Sequence, residues 1–286
     1  MKFKNGQEFL TQKNKVISLI GLSGVGKTTI ARKLPADNWF HYSADYRIWT
    51  HYLSDELNDY LKTLAMSHPI LRDMLMKDAI SVEHRVHFDN LLATSLYMGM
   101  LGNPKLHGST EADFRARMQN YSIGEIRAML DIPKFIERAR NMYNYDNFLV
   151  DASGSVCEIV DPSDATDPVI ETLAKTSIII YIEATQQHRE ELLKRAASDP
   201  KPIYYRPDFL DVQIPKLLQK FDVKNVDQID PVTVGQYMYP ELLAHRIPRY
   251  EQITENFGYK IPMTELSRVN NEREFLSLIA RTIDDM

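Results

Sequence analysis

Residues 21–29 constrain the fold more strongly than any other stretch of this 286-residue chain. Their sequence, GLSGVGKTT, fits the pattern G-x-x-x-x-G-K-[ST], in which glycines let the backbone turn sharply and approach an anion. The apolar run Val16–Ile20 before it suits a buried parallel strand. A helix is expected from Thr28 until Pro35 ends it. The sequence therefore predicts a strand, a phosphate-binding loop and a helix in succession.

This loop predicts that the protein binds ATP together with Mg²⁺. The backbone amides of the loop and of the following helix are expected to point at the phosphates. Lys27 would reach the β- and γ-phosphates, and the Thr28 hydroxyl would bind Mg²⁺. An ordinary glycine-rich turn is the alternative interpretation. The residues expected to contact the nucleotide are Gly21, Ser23, Gly24, Val25, Gly26, Lys27, Thr28 and Thr29.

Composition and charge limit the possible classes of protein. The chain is 44% hydrophobic and 26% charged, which is typical of a globular protein with a sizeable core. A net charge of -5 does not favour binding to nucleic acid or to an acidic membrane surface, although a local basic face is left open. The chain contains no apolar run of membrane-spanning length, and its first 15 residues do not resemble a secretory signal. The single cysteine, Cys157, excludes an intrachain disulfide and suits the cytoplasm.

Strand and helix patterns alternate along much of the chain. This alternation predicts the three-layer α/β/α fold of P-loop NTPases, with a parallel sheet. Residues 48–145 are expected to be almost wholly helical and to form a long insertion. Whether the insertion is a lid, an acceptor site or a docking surface for a protein partner stays open. The predicted domains are a nucleotide-binding core with its lid (1–47 and 146–286) and this insertion (48–145). Further strands are predicted near 39–42, 147–151, 178–182 and 259–261.

Two aspartates follow predicted strands. Asp45 comes after the second strand, and Asp151 ends the third. The carboxyl ends of parallel strands meet at one edge of the sheet, where ligands bind in open α/β folds. Asp151 is therefore predicted to hold Mg²⁺, directly or through water; the alternative is a turn aspartate that bonds its own backbone. Asp45 is predicted to orient or deprotonate an acceptor hydroxyl, with a helix N-cap as the alternative.

Two further motifs complete a resemblance to a known group of enzymes. The segment RPDFL (206–210) is similar to the Arg-Pro-x-x-Leu run in the lid of small-molecule P-loop kinases. The segment RIPRY (246–250) is similar to an Arg-x-Pro-x-Tyr helix in the same proteins. With the phosphate-binding loop and Asp45, these motifs make the chain resemble the nucleoside-monophosphate-kinase superfamily. In the nucleotide-binding half, shikimate kinases are the nearest pattern.

The resemblance implies roles for Asp45 and for individual arginines. Asp45 would contact Mg²⁺ as well as the acceptor hydroxyl. Arg206 would close over the γ-phosphate, and Arg246 would bind an anionic group of the acceptor. The alternative for each is an ordinary surface arginine. Arg195 is a further candidate for contact with the nucleotide, and Lys201 competes for the same role. Since Arg195 is expected in the last turn of a helix, where a cation is favourable anyway, the dipole of that helix is the stronger explanation of this residue.

The chain also departs from the family. Residues 151–155 read DASGS where the family has a triple-glycine turn, and a long insertion separates Asp45 from Asp151. The resemblance therefore covers the nucleotide-binding half well and the acceptor half hardly at all, and shikimate is not inferred as the acceptor. The insertion carries aromatic and methionine residues that are interpreted as core, some of them as lining of an acceptor pocket: Trp49, Tyr52, Tyr60, Phe88, Tyr97 and Met98.

The leading hypothesis is a kinase that transfers the γ-phosphate of ATP to a hydroxyl or phosphate group of a small molecule. A nucleotide or polynucleotide kinase is one alternative, because it would share the nucleotide-binding half. A partner-coupled or regulatory ATPase without a small-molecule acceptor is another. A GTPase is disfavoured because no Asn-Lys-x-Asp motif follows the strand at 178–182.

Overall fold

The structure is a computed structural model that describes residues 1–87 and 92–285. The chain divides into two compact units, which are considered separately below. The first unit consists of Met1–Ala44, Glu125–Ser198 and Tyr239–Met286, and the second of Asp45–Gly124 and Asp199–Met238. Within the described residues, no helix is both long enough and apolar enough to cross a membrane.

The strands and helices are labelled in chain order. The strands are β1 (Val16–Ile20), β2 (Trp39–Ser43), β3 (Asn147–Asp151), β4 (Ile178–Glu183) and β5 (Gly258–Pro262). The helices that precede β3 are α1 (Gly6–Thr11), α2 (Lys27–Ala31), α3 (Ala44–Arg47), α4 (Ser54–Met66), α5 (Pro69–Met76), α6 (Leu92–Met98), α7 (Glu111–Leu130) and α8 (Ile132–Tyr143). Those that follow are α9 (Pro168–Thr176), α10 (Gln186–Ser198), α11 (Pro207–Phe221), α12 (Pro231–Phe257), α13 (Met263–Ser267) and α14 (Glu272–Asp284). A π-helical segment covers Ile48–Tyr52, and short 3₁₀ turns cover Pro104–Leu106, Val156–Glu158 and Val226–Gln228.

The first unit is built on a parallel sheet with the strand order β2-β3-β1-β4-β5. In this order β1 lies at the centre, where Ile17 pairs with Leu149 on one side and with Ile178 on the other. All five residues of β1 are buried, as expected for a central parallel strand that is covered on both faces. The predicted α/β class and its parallel sheet are therefore confirmed.

The strand order creates a crevice between β1 and β3. The chain leaving β1 passes β3 to reach β2, whereas the chain leaving β3 passes β1 to reach β4. Because such crossovers are right-handed, the two connections lie on opposite faces of the sheet and run in opposite directions. Ligands of open α/β sheets bind at this kind of switch point, outside the carboxyl ends of the strands. The phosphate-binding loop after β1 and Asp151 at the end of β3 border it.

Helices of the first unit cover the sheet with apolar stripes. α8 packs against β2 and β3, and α9 packs against β4. α14 packs against β5 and α1 through Phe275, Leu278 and Ile279, which recur at the spacing of one helix face. The sheet and these helices share one hydrophobic core.

The second unit is helical and has an aromatic core. The rings of Trp49 and Tyr97 lie 5.7 Å apart in an edge-to-face arrangement. Tyr121 and Tyr204 approach to 5.1 Å. Such pairs add stability beyond the apolar area that they bury. Of the insertion residues that the sequence assigns to a core or to a pocket lining, Trp49, Tyr97 and Met98 are buried, Tyr52 and Tyr60 are half-buried, and Phe88 lies outside the described residues.

The compact units differ from the predicted boundaries. Residues 125–145 were expected in the insertion but belong to the first unit, and residues 199–238 belong to the second. α8 buries Ile132, Ile136 and Ala139 in the core of the sheet. Helical spacing in a sequence shows that one face of a helix is buried, but it does not show whether a sheet or other helices cover that face. The predicted boundaries differ from the observed ones for this reason. Residues 79–87 of the insertion are also not helical.

Candidate functional site

The phosphate-binding loop follows β1 and has the backbone conformation that its glycines allow. Gly24 and Gly26 have φ angles of 82° and 103°, which a residue with a side chain rarely adopts. The Lys27 side chain folds back into the loop. Its Nζ donates hydrogen bonds to the carbonyl oxygens of Gly21 (2.9 Å) and Leu22 (3.0 Å). The ammonium group is therefore held inside the curve of the loop.

Thr28 and Asp151 meet at the crevice between β1 and β3. The Thr28 hydroxyl donates a hydrogen bond of 2.6 Å to Oδ2 of Asp151, which is 7% exposed. A hydroxyl and a carboxylate are hard oxygen ligands of the type that Mg²⁺ prefers. The structure thus brings together two of the three residues predicted to hold the metal.

The environment of Asp151 keeps its carboxylate charged. Burial alone would raise the pKa of Asp151, but a hydrogen bond from His41, the charge of Lys27 and the Thr28 hydroxyl together lower this pKa below its ordinary value. The His41 imidazole Nε2 lies 3.4 Å from Asp151 Oδ2. An ionised carboxylate is the form that binds a cation. Asp151 is therefore in the protonation state that its predicted role requires.

The loop after β3 packs against the phosphate-binding loop. A β-carbon added to Gly154 would lie 3.1 Å from the backbone nitrogen of Ser23. On either side of this glycine, the hydroxyls of Ser153 and Ser155 donate hydrogen bonds to the carboxylate of Glu125, which is completely buried. These two serines thus anchor the loop to α7.

A buried ion pair supports the same loop. Arg246 Nε donates to Glu158 Oε1 at 3.0 Å, and Arg246 Nη1 donates to the carbonyl of Gly154 at 3.1 Å. The imidazole Nε2 of His245 lies 3.2 Å from the other oxygen of Glu158. Arg246 is 4% exposed, so it is not an ordinary surface arginine.

The two partners keep each other charged. Burial opposes ionisation of Glu158, but a hydrogen bond from His245 and the charge of Arg246 lower its pKa below the ordinary value. Burial likewise opposes charge on Arg246, and the neighbouring Glu158 raises the pKa of this arginine above its ordinary value. The side chain of Arg249 binds the backbone of the same segment. Its Nε donates to the carbonyl of Cys157 (2.8 Å) and its Nη2 to the carbonyl of Val160 (2.5 Å).

The other predicted site residues lie elsewhere. Arg195 is exposed in the last turn of α10, in the first unit. Asp45 lies in the first turn of α3 and belongs to the second unit. Arg206 also belongs to the second unit, where it precedes α11 and its Nε donates to Asp208. The structure therefore gathers Lys27, Thr28 and Asp151 at one edge of the sheet, and the roles of all the predicted site residues stay predictions.

Sequence reasoning assigned no role to several polar side chains of the first unit: His41, Glu125, Ser153, Ser155, Glu158 and His188. Glu125 did leave a signal. It continues the helical spacing of Phe114, Met118 and Tyr121, so an acidic residue stands on an otherwise apolar stripe. Because carboxylates are rarely buried without partners, such a position indicates a polar contact in the core.

Comparisons with known proteins add little at the level of sequence. The chain matches no family model, and it matches no curated protein. Among solved structures, it is similar to shikimate kinase from Bacteroides thetaiotaomicron, with 13% sequence identity. The match covers 80% of this chain and 98% of the other, with a TM-score of 0.29.

Proposed function

We propose that this protein is a phosphotransferase that uses ATP and Mg²⁺ to phosphorylate a hydroxyl or phosphate group of a small molecule. One observation carries the proposal. The hydroxyl of Thr28 and the carboxylate of Asp151 meet at 2.6 Å in the crevice that the phosphate-binding loop borders. This is the pair of oxygen ligands that a nucleotide-bound Mg²⁺ requires in P-loop proteins.

The side chains at this edge of the sheet fit a nucleotide and its metal. Thr28 and Asp151 would hold Mg²⁺, which supplies charge neutralisation at the phosphates. Lys27 would exchange the carbonyls of Gly21 and Leu22 for phosphate oxygens and so neutralise further negative charge. The loop amides would hold the phosphate chain in position.

The acceptor side of the proposal rests on the second unit and on Arg246. Asp45 would orient or deprotonate the acceptor hydroxyl, and Arg206 would stabilise the transferred phosphate. The role of Asp45 is supported by its position after β2, and that of Arg206 by the similarity of the segment RPDFL to a kinase lid. Arg246 would bind an anionic acceptor group. Since it already pairs with Glu158, such a group would compete with that carboxylate.

The proposal is tested by measuring ADP release with Mg²⁺ in the presence of metabolites, nucleosides and short oligonucleotides. Release that rises sharply with one class of compound is expected, and it identifies the acceptor group. Stimulation by oligonucleotides alone would favour a polynucleotide kinase instead. Slow hydrolysis that ignores every compound would contradict a small-molecule kinase. Lys27→Ala serves as the blank, because any release that survives in it comes from a contaminant.

A second candidate, a partner-coupled ATPase, is favoured by one surface of the second unit. α5 has no buried residue, and its Ile70 and Met76 side chains are 65% and 72% exposed. Exposed apolar side chains on one short helix suit contact with another protein. Replacing both by serine should leave a kinase unaffected and should abolish stimulation of an ATPase by its partner.

A further inference from the structure

His188 is a buried polar side chain that the proposed function does not yet use. It lies in the first turn of α10, where its backbone N–H donates to the Thr185 hydroxyl at 3.1 Å. The residue is only 8% exposed. Within residues 1–87 and 92–285, the imidazole Nε2 is shielded from solvent and has no hydrogen-bond partner. A buried polar atom left without a partner costs about 1–3 kcal/mol, so its position calls for a physical reason.

The unpartnered nitrogen faces the phosphate-binding loop. A β-carbon built on Gly24 would lie 3.4 Å from Cε1 and 3.5 Å from Nε2 of His188. The edge of the imidazole that carries Nε2 is therefore in contact distance of the loop. Because Gly24 has no side chain, none stands between this edge and the loop backbone.

Other buried histidine nitrogens of the first unit have a different environment. Nε2 of His41 lies 3.4 Å from Asp151, and Nε2 of His245 lies 3.2 Å from Glu158. Each of these imidazoles supports a carboxylate. Nε2 of His188 faces the loop instead of a carboxylate. A phosphate bound in that loop would offer the acceptor oxygens that this nitrogen lacks.

We propose that His188 is a nucleotide-binding residue whose Nε2–H donates a hydrogen bond to the phosphate chain held by the loop. This inference rests on the proposed binding of ATP. Its role differs from that of Lys27, because the imidazole would supply a directed donor at one ring nitrogen, whereas Lys27 would supply an ammonium group. The hydrogen bond would also remove the cost of burying Nε2, so nucleotide binding and the packing of α10 on the loop would stabilise each other.

The test is the affinity of the full chain for ADP, ATP and tripolyphosphate, measured by calorimetry with Mg²⁺. His188→Leu removes the donor. His188→Gln places an amide donor near the position of Nε2, and the shorter side chain of His188→Asn does not reach it. We expect His188→Leu and His188→Asn to lower the affinity for all three ligands by about 10- to 100-fold, as for loss of a hydrogen bond to a charged group. His188→Gln should retain most of the affinity. His68→Leu, at an exposed histidine of the second unit, is the control and should bind like the wild type.

Several results would overturn the proposal. Wild-type affinity in His188→Leu would show that no such hydrogen bond forms. Equal losses in Gln, Asn and Leu would show that the imidazole only fills space. A loss for ADP and ATP but not for tripolyphosphate would place the contact at the nucleoside. If His188→Leu does not fold, the comparison of Gln with Asn decides. Absence of all binding by the wild type would instead refute the proposed function itself.

Discussion

A buried ion pair of the first unit contrasts with an exposed ion pair of the second. In the first unit, Glu158 and Arg246 form an ion pair whose side chains are 0% and 5% exposed. In the second, Arg115 pairs with Asp211 at 3.0 Å, but these side chains are 32% and 65% exposed. A buried pair loses much of its hydration and needs nearly ideal partners, whereas an exposed pair contributes little.

This difference shows where the chain uses buried polar contacts to hold its structure. Buried charges and hydroxyls support the loop after β3, and that loop packs on the phosphate-binding loop. Pairs such as Lys62 with Asp59 in the second unit are solvated and can be lost with little consequence. If the comparison is right, substitutions at the buried groups have large effects and substitutions at the exposed pairs have small ones.

The largest effect is expected for Glu158→Gln. This change leaves the charge of Arg246 buried without its carboxylate, which should lower the free energy of unfolding by about 3–5 kcal/mol. Urea denaturation at neutral pH measures it. Glu265→Gln, which breaks an exposed pair with Arg281, is the matched control and should cost no more than about 1 kcal/mol. Equal losses in the two variants would show that burial of the first pair does not matter.

The same variant has a pH signature. The pKa of Glu158 lies below its ordinary value of 4.5 in the folded protein, because its contacts with His245 and Arg246 outweigh its burial. The carboxylate therefore stabilises the folded state fully above about pH 4.5, and this contribution is lost as the pH falls through the lowered pKa. The stability difference between wild type and Glu158→Gln should shrink in acid. A difference that stays constant down to pH 3 would contradict the assignment.

Lys27→Ala should have the next largest effect. Lys27 would contact two phosphates, and each hydrogen bond to a charged group contributes about 1.5–3 kcal/mol, so ATP affinity should fall by at least about 100-fold. Calorimetric titration measures the affinity. Lys62→Ala, at an exposed lysine of the second unit, should bind ATP as the wild type does. Retention of full affinity by Lys27→Ala would refute the interpretation of the loop.

Asp45→Asn tests the proposed catalytic role of Asp45. Loss of a general base should lower the rate of phosphoryl transfer by about 100-fold or more, while the dissociation constant of ATP stays close to that of the wild type. Single-turnover rates and calorimetry separate the two. If ATP binding collapses instead, Asp45 is structural or acts mainly on Mg²⁺.

The smallest effect is expected for Asp211→Asn. It breaks the exposed pair with Arg115, and the free energy of unfolding should change by about 1 kcal/mol or less. Thermal or urea denaturation measures the change. A loss as large as that of Glu158→Gln would remove the contrast between the two units.

Much of the first unit could be predicted because its signals are local. The strands β1, β3 and β4 contain short apolar runs, and an apolar run between turn residues is typical of a buried parallel strand. The approach of Thr28 to Asp151 could be expected too, because the carboxyl ends of neighbouring parallel strands meet. The division of the helices between the units could not be predicted, since α8 looks the same in sequence whether it covers a sheet or other helices.

The sequence by itself determined the parallel sheet and the position of the glycine-rich loop after β1, and it predicted which groups would hold Mg²⁺, because these depend on neighbours in the chain and on strand direction. Only the tertiary structure decided that Glu125 receives the hydroxyls of Ser153 and Ser155, that Arg246 is buried against Glu158, and that His188 faces Gly24. These contacts join residues that are distant in the chain. They arise where the packing of helices and strands buries a polar atom, which then needs a hydrogen-bond partner from the protein or from a ligand.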